Sequence, residues 1–161
     1  MKCVIKKAGC PDAIRLMAAL DADLAVRYPG VGILSIDSEH FESDGGTFVI
    51  GYVGDQAVAC GALRRLASFS AEVKRMYVDT AVRRLGYGKI MLAYLEALAL
   101  QSGYMRLMLG AGDAQPEALR LYEKSGWLRT APFGGYAAEA CSVCYTKLIQ
   151  STCTKDVQRP F

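Results

Sequence analysis

The sequence lacks an apolar stretch long enough to cross a bilayer, and its first residues lack the apolar core of a secretory signal. Its most apolar run, Ile90 to Leu100, is short and is interrupted by Glu96. These absences predict a cytoplasmic protein without a membrane partner.

Long basic runs are also missing. The 161 residues contain 19 Lys and Arg against 16 Asp and Glu, a formal net charge of +3, and no basic run exceeds pairs such as Lys6-Lys7 and Arg64-Arg65. So few clustered cations cannot follow a phosphate backbone, which predicts no nucleic-acid partner. The charge balance still suits a single anionic cofactor.

Metal ligands are scarce, because His40 is the only histidine. A Cys141-x-x-Cys144 pair has a spacing found in zinc and redox sites, but neither a second pair nor the start of a βαβ unit accompanies it. Residues three apart in a strand point to opposite faces, and we place both in a strand. We therefore expect no metal, and reduced core thiols at most of the six cysteines: Cys3, Cys10, Cys60, Cys141, Cys144 and Cys153.

The length and a 52% apolar composition predict one soluble domain over residues 1–149, followed by a loose tail over 150–161. An irregular stretch, 31–46, includes a short helix start at Asp37 to Glu39 and suits a substrate-side loop. The order of elements predicts a mixed sheet with helices on both faces. Strands are predicted over 3–7, 47–53, 56–66, 71–78, 105–109, 127–131 and 142–148, with a two-residue hairpin turn at Gly54-Asp55. Helices are predicted around 14–24, 89–101 and 116–125, the first with an apolar stripe of Ile14, Met17, Leu20 and Leu24.

A glycine-containing loop, Val78 to Lys89, joins a predicted strand to a predicted helix. Gly86 and Gly88 permit backbone geometries that a Cβ would block, and a helix start presents unpaired N–H groups with a positive dipole end. Together these features predict a cradle for an anion. Arg83, Arg84 and Lys89 would add positive charge for a pyrophosphate.

Two familiar phosphate loops do not fit this segment. A dinucleotide-binding fingerprint needs glycine where Met91 stands, together with a nearly all-parallel sheet. A P-loop needs glycine where Arg83 stands, and Ser or Thr in place of Ile90. A simple tight turn with solvated arginines remains the alternative.

Two segments resemble the Gcn5-related N-acetyltransferase (GNAT) superfamily. Arg83 to Gly88 matches its Q/R-x-x-G-x-G/A motif, and Leu121 to Trp127 resembles its later L-Y-x-x-x-G-F segment. The resemblance covers Ile5 to about Leu148. It implies an α/β (mixed α+β) fold, in which about four helices flank a twisted, mostly antiparallel sheet of six to seven strands.

The resemblance also implies acetyl-CoA as cosubstrate, with the pyrophosphate on the loop amides and no metal. Met76 and Val78 would contact the pantetheine and thioester, and a main-chain N–H near Val78 would stabilise the oxyanion. Gln115 stands where the family often has Asn, and Leu85 where it is usually polar. The implied cofactor residues are Met76, Tyr77, Val78, Arg83, Arg84, Leu85, Gly86, Tyr87, Gly88, Lys89 and Gln115.

Two residues match catalytic positions of the family. Glu72, eleven positions before Arg83, matches the glutamate of histone-type members that removes a proton from the amine, directly or through water. The alternative is an exposed carboxylate paired with Lys74 or Arg64. Tyr122 matches the acid that protonates the leaving thiolate, since a phenol has a pKa near ~10 and a thiol near ~8.5. The alternative is a core aromatic residue.

The acceptor is open at this point. The family's acceptor-side segments contain Tyr28, Arg64, Arg75 and Tyr136. The tyrosines with Glu72 would suit a cationic amine, whereas the arginines would suit an amine that carries a carboxylate. We expect acetyl transfer in a ternary complex to the primary amine of a small molecule or a peptide N-terminus. A non-catalytic acyl-CoA sensor is the alternative, and a homodimer is compatible with the sequence.

Overall fold

Seven strands and three α-helices alternate along the chain in this computed structural model, which describes residues 1–31 and 40–150. Short 3₁₀ turns occupy Thr80–Val82 and Gly134–Ala138. The predicted helix start at Asp37 to Glu39 and the predicted tail after residue 150 lie outside the described residues. The elements are β1 (Lys2–Lys6), α1 (Pro11–Arg27), β2 (Thr47–Val53), β3 (Gln56–Ala67), β4 (Ser70–Val78), α2 (Tyr87–Gln101), β5 (Arg106–Gly112), α3 (Pro116–Lys124), β6 (Leu128–Thr130) and β7 (Ser142–Leu148).

The strands form one sheet in the order β1-β2-β3-β4-β5-β7-β6. Only β4 and β5 pair in parallel, so the predicted mixed and mostly antiparallel sheet is confirmed. Val53 pairs with Gln56, which confirms a two-residue hairpin turn at Gly54-Asp55. The described residues contain three α-helices where about four were expected.

Three sequence-based boundaries need correction. Helix α2 begins at Tyr87 and not at Lys89, because Gly86 already serves as the N-cap in a left-handed conformation. Strand β5 continues to Gly112, where we predicted a loop after Leu109, because it stays paired with β7 as far as Ser142. Cys141 precedes β7 and is therefore not inside the strand.

The sheet has an apolar core on each face. On α1 the buried residues Ala13, Leu16, Met17 and Leu20 follow helical spacing, whereas Ile14, predicted for this stripe, is exposed. Helix α2 buries a similar stripe on the opposite face. The α1 cluster includes Phe48, Ile50, Ala62 and Tyr77, and the α2 cluster includes Val73, Leu95, Leu107, Tyr122, Trp127 and Tyr145.

The five cysteines within the described residues are free thiols, as predicted. Burial raises the pKa of Cys60 to about 12 and also raises the pKa of Cys144. Thiols that hold their protons so strongly are poor nucleophiles and poor metal ligands. Cys60 and Cys144 therefore serve as small apolar core residues.

A bulge bends β4 near its middle. Cys60 pairs with Tyr77 and Ala62 pairs with Lys74, so Gly61 alone faces both Arg75 and Met76. Arg75 has a left-handed φ of 55°. A Cβ on Gly61 would lie 2.7 Å from Leu95 Cδ1, so the glycine lets α2 pack closely against the bulge.

Strands β4 and β5 separate soon after they meet. They pair only at three positions, and the last joins Glu72 to Met108. Beyond it β4 continues to Val78 and β5 to Gly112 without a shared ladder. We call the wedge between these two segments the β4/β5 opening.

The close approach at Gly61 predicts an energetic coupling with Leu95. Gly61→Ala should cost about 1 to 3 kcal/mol through overpacking. Leu95→Ala should cost about 2 to 5 kcal/mol through the cavity it leaves. Because the cavity makes room for the new methyl group, the double variant should lose less than the sum of the two costs, as measured by urea unfolding. Strictly additive costs would contradict this packing.

Candidate active site

An open cleft lies at the β4/β5 opening. Helix α1 supplies one wall, and the segment after the second 3₁₀ turn supplies another. Polar and apolar side chains both line it. They are Leu20, Leu24, Tyr28, Val31, Val73, Lys74, Arg75, Met76, Gly110, Ala111, Gly112, Gln115, Tyr122, Tyr136, Glu139, Cys141 and Ser142.

The start of α2 has the features of an anion site. Its first hydrogen bond runs from the Ile90 N–H to the Gly86 carbonyl at 3.1 Å, so the three preceding N–H groups have no partner within the helix. Gly86 has a φ of 81° and brings no side-chain cap, and the first turn contains no acidic residue. Lys89 and Arg84 are exposed beside these amides. The helix end therefore offers donors and positive charge to a phosphate.

Gly88 has a different role from Gly86. A Cβ on Gly88 would lie 3.3 Å from Leu121 Cδ2 and 3.8 Å from Val78 Cγ2, whereas a Cβ on Gly86 would meet nothing within 4 Å. Gly88 therefore lets the helix start approach β4 and α3. Gly86 is required for its backbone angle.

Arg83 does not point into this cradle, contrary to the prediction. Its Nε donates to the Val78 carbonyl at 3.0 Å and its NH2 donates to Asp23 Oδ2 on α1 at 3.1 Å. Its guanidinium also lies 5.5 Å from the centre of the Tyr77 ring. Tyr77 is buried in the α1 cluster and is not part of the cleft lining, so it packs the core where we had predicted a cofactor contact.

Tyr122 lies at the floor of the cleft within an aromatic group. Its ring centre lies 6.1 Å from that of Trp127 and 5.8 Å from that of Tyr145. Burial raises the pKa of its phenol, which therefore stays protonated. Within residues 1–31 and 40–150, no group hydrogen-bonds its hydroxyl, and the oxygen is not fully enclosed. Tyr122 is thus a core aromatic residue whose hydroxyl is available to the cleft.

Glu72 lies beneath the cleft and is fully buried. Arg64 donates to its Oε2 from Nε, at 3.0 Å, and from NH2. Tyr136 donates to Oε1 at 2.8 Å, and the Lys74 ammonium lies 3.4 Å from the same oxygen. The alternative interpretation correctly predicted a pairing of Glu72 with Lys74 or Arg64. It was wrong that the carboxylate is exposed, because the side chain is fully buried. Among the described residues, Tyr136 and Lys74 both contact Glu72 and line the cleft, so they connect its carboxylate to the cleft.

Lys74 is a cleft residue that sequence reasoning treated only as a partner of Glu72. Its side chain is 5% exposed, and burial lowers the pKa of its ammonium. Its Nζ lies 3.3 Å from the Tyr136 hydroxyl and 5.4 Å from the centre of that ring. The spacing of two residues along β4 puts Lys74 on the same face as Glu72, which was the clue in the sequence.

The predicted acceptor-side residues divide into two groups. Tyr28, Arg75 and Tyr136 line the cleft, whereas Arg64 does not, because it is held on Glu72 from outside. The Arg75 guanidinium binds both oxygens of Asp21, at 2.6 and 3.2 Å. Of the four predicted acceptor-side residues, Tyr28 and Tyr136 are therefore the two that line the cleft and take part in no ion pair.

Both tyrosines pack against glycines of β5. A Cβ on Gly110 would lie 2.5 Å from the Tyr136 ring, and a Cβ on Gly112 would lie 2.0 Å from the Tyr28 hydroxyl. The Tyr28 hydroxyl accepts a hydrogen bond from the Ala114 N–H at 2.7 Å and also contacts the Gln115 side chain. Tyr28 therefore holds the start of α3 in place.

Comparisons with known proteins agree with this geometry. The sequence model of the Acetyltransferase (GNAT) family matches residues 16–127. The chain belongs to the GNAT family of acetyltransferases. The uncharacterized N-acetyltransferase YsnE of Bacillus subtilis (strain 168) is 34% identical over 103 residues, 63% of this chain and 68% of that protein.

A second relative and a solved structure extend the match along the chain. The IAA acetyltransferase of Azospirillum brasilense is 27% identical over 146 residues, 89% of this chain and 95% of that protein. The proposed acyl-CoA N-acyltransferase of Klebsiella pneumoniae has a TM-score of 0.78 at 26% identity, and the match covers 92% of this chain and 97% of that one. Other structures of the same fold, 15 to 18% identical, contain CoA or acetyl-CoA.

In this GNAT acetyltransferase, α1 is tied across the β4/β5 opening. Arg27 pairs with Glu117 at the start of α3 at 2.6 Å and donates to the Ala114 carbonyl at 3.0 Å. Asp21 and Asp23 of the same helix hold Arg75 and Arg83. Sequence reasoning missed these three α1 residues, because nothing local to α1 indicates their partners.

Other kinds of site lack support in the part of the chain that the structure describes. There, no three His, Cys, Asp or Glu side chains lie close enough together to hold a metal ion. None of the helices in those residues has the length and apolarity to cross a membrane.

The buried Glu72 group predicts coupled stabilities. Glu72→Gln should cost about 3 kcal/mol, because it leaves the buried Lys74 without its counter-charge. Adding Lys74→Met should recover part of that loss, since the unpaired cation is then gone. Urea unfolding measures both, and Glu123→Gln on the exposed face of α3 serves as a control with little expected effect. A double variant less stable than Glu72→Gln would contradict the assignment.

Proposed function

We propose that this acetyltransferase moves the acetyl group of acetyl-CoA to the primary amine of a small molecule or a peptide N-terminus, in the cytoplasm and within a ternary complex. One observation carries the proposal. Tyr122 lines the cleft at the β4/β5 opening, its phenol is protonated, and no group among the described residues hydrogen-bonds its hydroxyl. That arrangement suits the protonation of a leaving thiolate.

The β4/β5 opening suits the pantetheine arm of CoA. Because β4 has no ladder to β5 beyond Glu72, its main-chain groups there can bond to the amides of an inserted chain. Met76 lines this segment and offers an apolar surface. At the outer end, the N–H groups at the start of α2 would bind the pyrophosphate, with Lys89 and Arg84 nearby. The presence of CoA or acetyl-CoA in structures of this fold supports the assignment.

The proposed reaction is a direct attack. The neutral amine nitrogen bonds to the thioester carbonyl carbon, and the C–S bond breaks. A main-chain N–H of β4 near Val78 would stabilise the oxyanion, and Tyr122 would give its proton to the departing sulfur. Water can restore the proton on Tyr122 after the thiol leaves.

The amine must also lose a proton. Glu72 stays a predicted base, but its carboxylate is enclosed, so we route the proton through Tyr136. The Tyr136 hydroxyl would take a proton from the nitrogen as it passes its own to Glu72 Oε1. Burial beside Glu72 raises the pKa of Tyr136, so the phenol remains protonated before this exchange.

The cofactor cradle generates a binding prediction. Gly86→Asp should raise the Kd for acetyl-CoA at least about tenfold, because it strains a left-handed backbone and puts a carboxylate where a phosphate belongs. Calorimetry measures the affinity. Gly103→Asp is a matched control, since Gly103 also has an open surrounding and a φ of 83° but lies just past the other end of α2. Equal affinities in the two folded variants would contradict the cradle.

The proton donor generates a kinetic prediction. Tyr122→Phe should keep fold and acetyl-CoA affinity but lower kcat by about 10²- to 10⁴-fold, because it deletes only the hydroxyl. The rate is followed as thiol release, with an acceptor first found in a panel of amino acids, polyamines, aminoglycosides and peptides. Tyr145→Phe is the control, since its hydroxyl bonds Glu123 away from the cleft. If Tyr122→Phe turned over at the wild-type rate while the chemical step was rate-limiting, Tyr122 would be a packing residue and not the proton donor.

A further inference from the structure

The charged groups beneath the cleft do not cancel among themselves. Arg75 is neutralised by Asp21, so it contributes no free charge. The buried group beneath the cleft contains two cations, Arg64 and Lys74, and one carboxylate, Glu72, which leaves one positive charge. Arg64 takes two contacts to Glu72 and lies outside the cleft. Lys74 is therefore the cation of this group that adjoins the cleft, whose lining also contains the carboxylate of Glu139.

The Lys74 ammonium has spare bonding capacity toward the cleft. Of its three N–H donors, two are used in long contacts, 3.4 Å to Glu72 and 3.3 Å to Tyr136. The side chain is only 5% exposed, yet it lines the cleft. No third partner contacts this ammonium within residues 1–31 and 40–150, and a buried ammonium with a spare donor favours an anionic acceptor in the adjacent space.

The rest of the lining is mainly apolar on one side and acidic on the other. Leu20, Leu24 and Val31 form the apolar side. Glu139 lies on the far side, where its carboxylate accepts a bond from Ser142 at 2.9 Å. A molecule with an ammonium, a carboxylate and an apolar side chain would match these three features together.

We propose that the acceptor is an amino acid whose carboxylate binds the Lys74 ammonium and whose apolar side chain packs against α1. This proposal rests on the proposed function. A polyamine would bring positive charge to Lys74, and an ordinary peptide N-terminus carries no carboxylate next to its amine. A single ammonium suits a carboxylate better than a doubly charged phosphate. Lys74 is therefore the residue that binds the carboxylate, a role for which the sequence had suggested Arg64 and Arg75.

The kinetic test compares matched acceptors. Phenylalanine, phenylalaninamide and phenethylamine share ring and amine, and a leucine series does the same for an aliphatic side chain. Lys74→Met should lower kcat/KM for the acids by about 10- to 100-fold more than for the amides and simple amines, the worth of one charge-assisted hydrogen bond. A loss common to all acceptors would reflect the contacts of Lys74 with Glu72 and Tyr136. Each variant is compared with wild type on the same compound, so differences in amine pKa cancel.

Two further variants complete the test. Lys74→Arg keeps the charge and should retain the preference for the acid, whereas Lys2→Met, the same substitution on the exposed edge strand β1, should change nothing. In Lys74→Met, Glu72 keeps Arg64 and Tyr136, so the variant should fold. An equal loss on acid and amide, or a wild-type enzyme that turns over the amide but not the acid, would overturn the proposal.

Binding keeps this test separate from the proposed function. Calorimetry on CoA-loaded protein should show tighter binding of N-acetylphenylalanine than of N-acetylphenylalaninamide, and Lys74→Met should remove the difference. Equal affinities for wild type would overturn the amino-acid proposal alone. Absence of thiol release with every amine tried would instead overturn the proposed function.

Discussion

The separation of β4 from β5 after the pair of Glu72 with Met108 is the constraint on which the site depends. A parallel pair normally satisfies its main-chain groups along its whole length, and here that pairing stops after three positions. The bulge at Arg75 and the missing side chain at Gly61 bend β4 away while α2 stays packed against it. The cleft, the proposed cofactor path and the position of the buried charges all follow from this wedge.

Helix α1 keeps the wedge at a fixed width through its charged residues. Asp21 holds Arg75 on β4, Asp23 holds Arg83 beside the cradle, and Arg27 holds Glu117 on the far side. The first pair is the strongest candidate for a stabilising role, because the Arg75 side chain is only 6% exposed. The other two are more open to water, where an ion pair contributes little. The charged side chains of Asp21, Asp23 and Arg27 thus form ion pairs within the protein and are not free to bind a ligand.

Local sequence patterns predicted most of the fold and the loop that we propose binds the cofactor. Apolar spacing, the Gly54-Asp55 turn and the glycines before α2 act over a few residues, so the sequence alone indicated the hairpin, the helices and the anion cradle. The partners of Arg75 and Arg83 depend on contacts 54 and 60 residues away, which no local pattern indicates. The role of Lys74 was missed for the same reason, since its burial depends on Tyr136, 62 residues further on. The chemical roles given to Tyr122 and Glu72 stay predictions.

A crystal structure with acetyl-CoA tests the central claim most directly, because it shows where the cofactor lies relative to the wedge. The account predicts the pantetheine arm between β4 and β5 beyond Glu72, the pyrophosphate on the amides at the start of α2, and the thioester sulfur within hydrogen-bond reach of the Tyr122 hydroxyl. A cofactor bound elsewhere, or a β4/β5 opening closed by a continuous ladder in the complex, would contradict it.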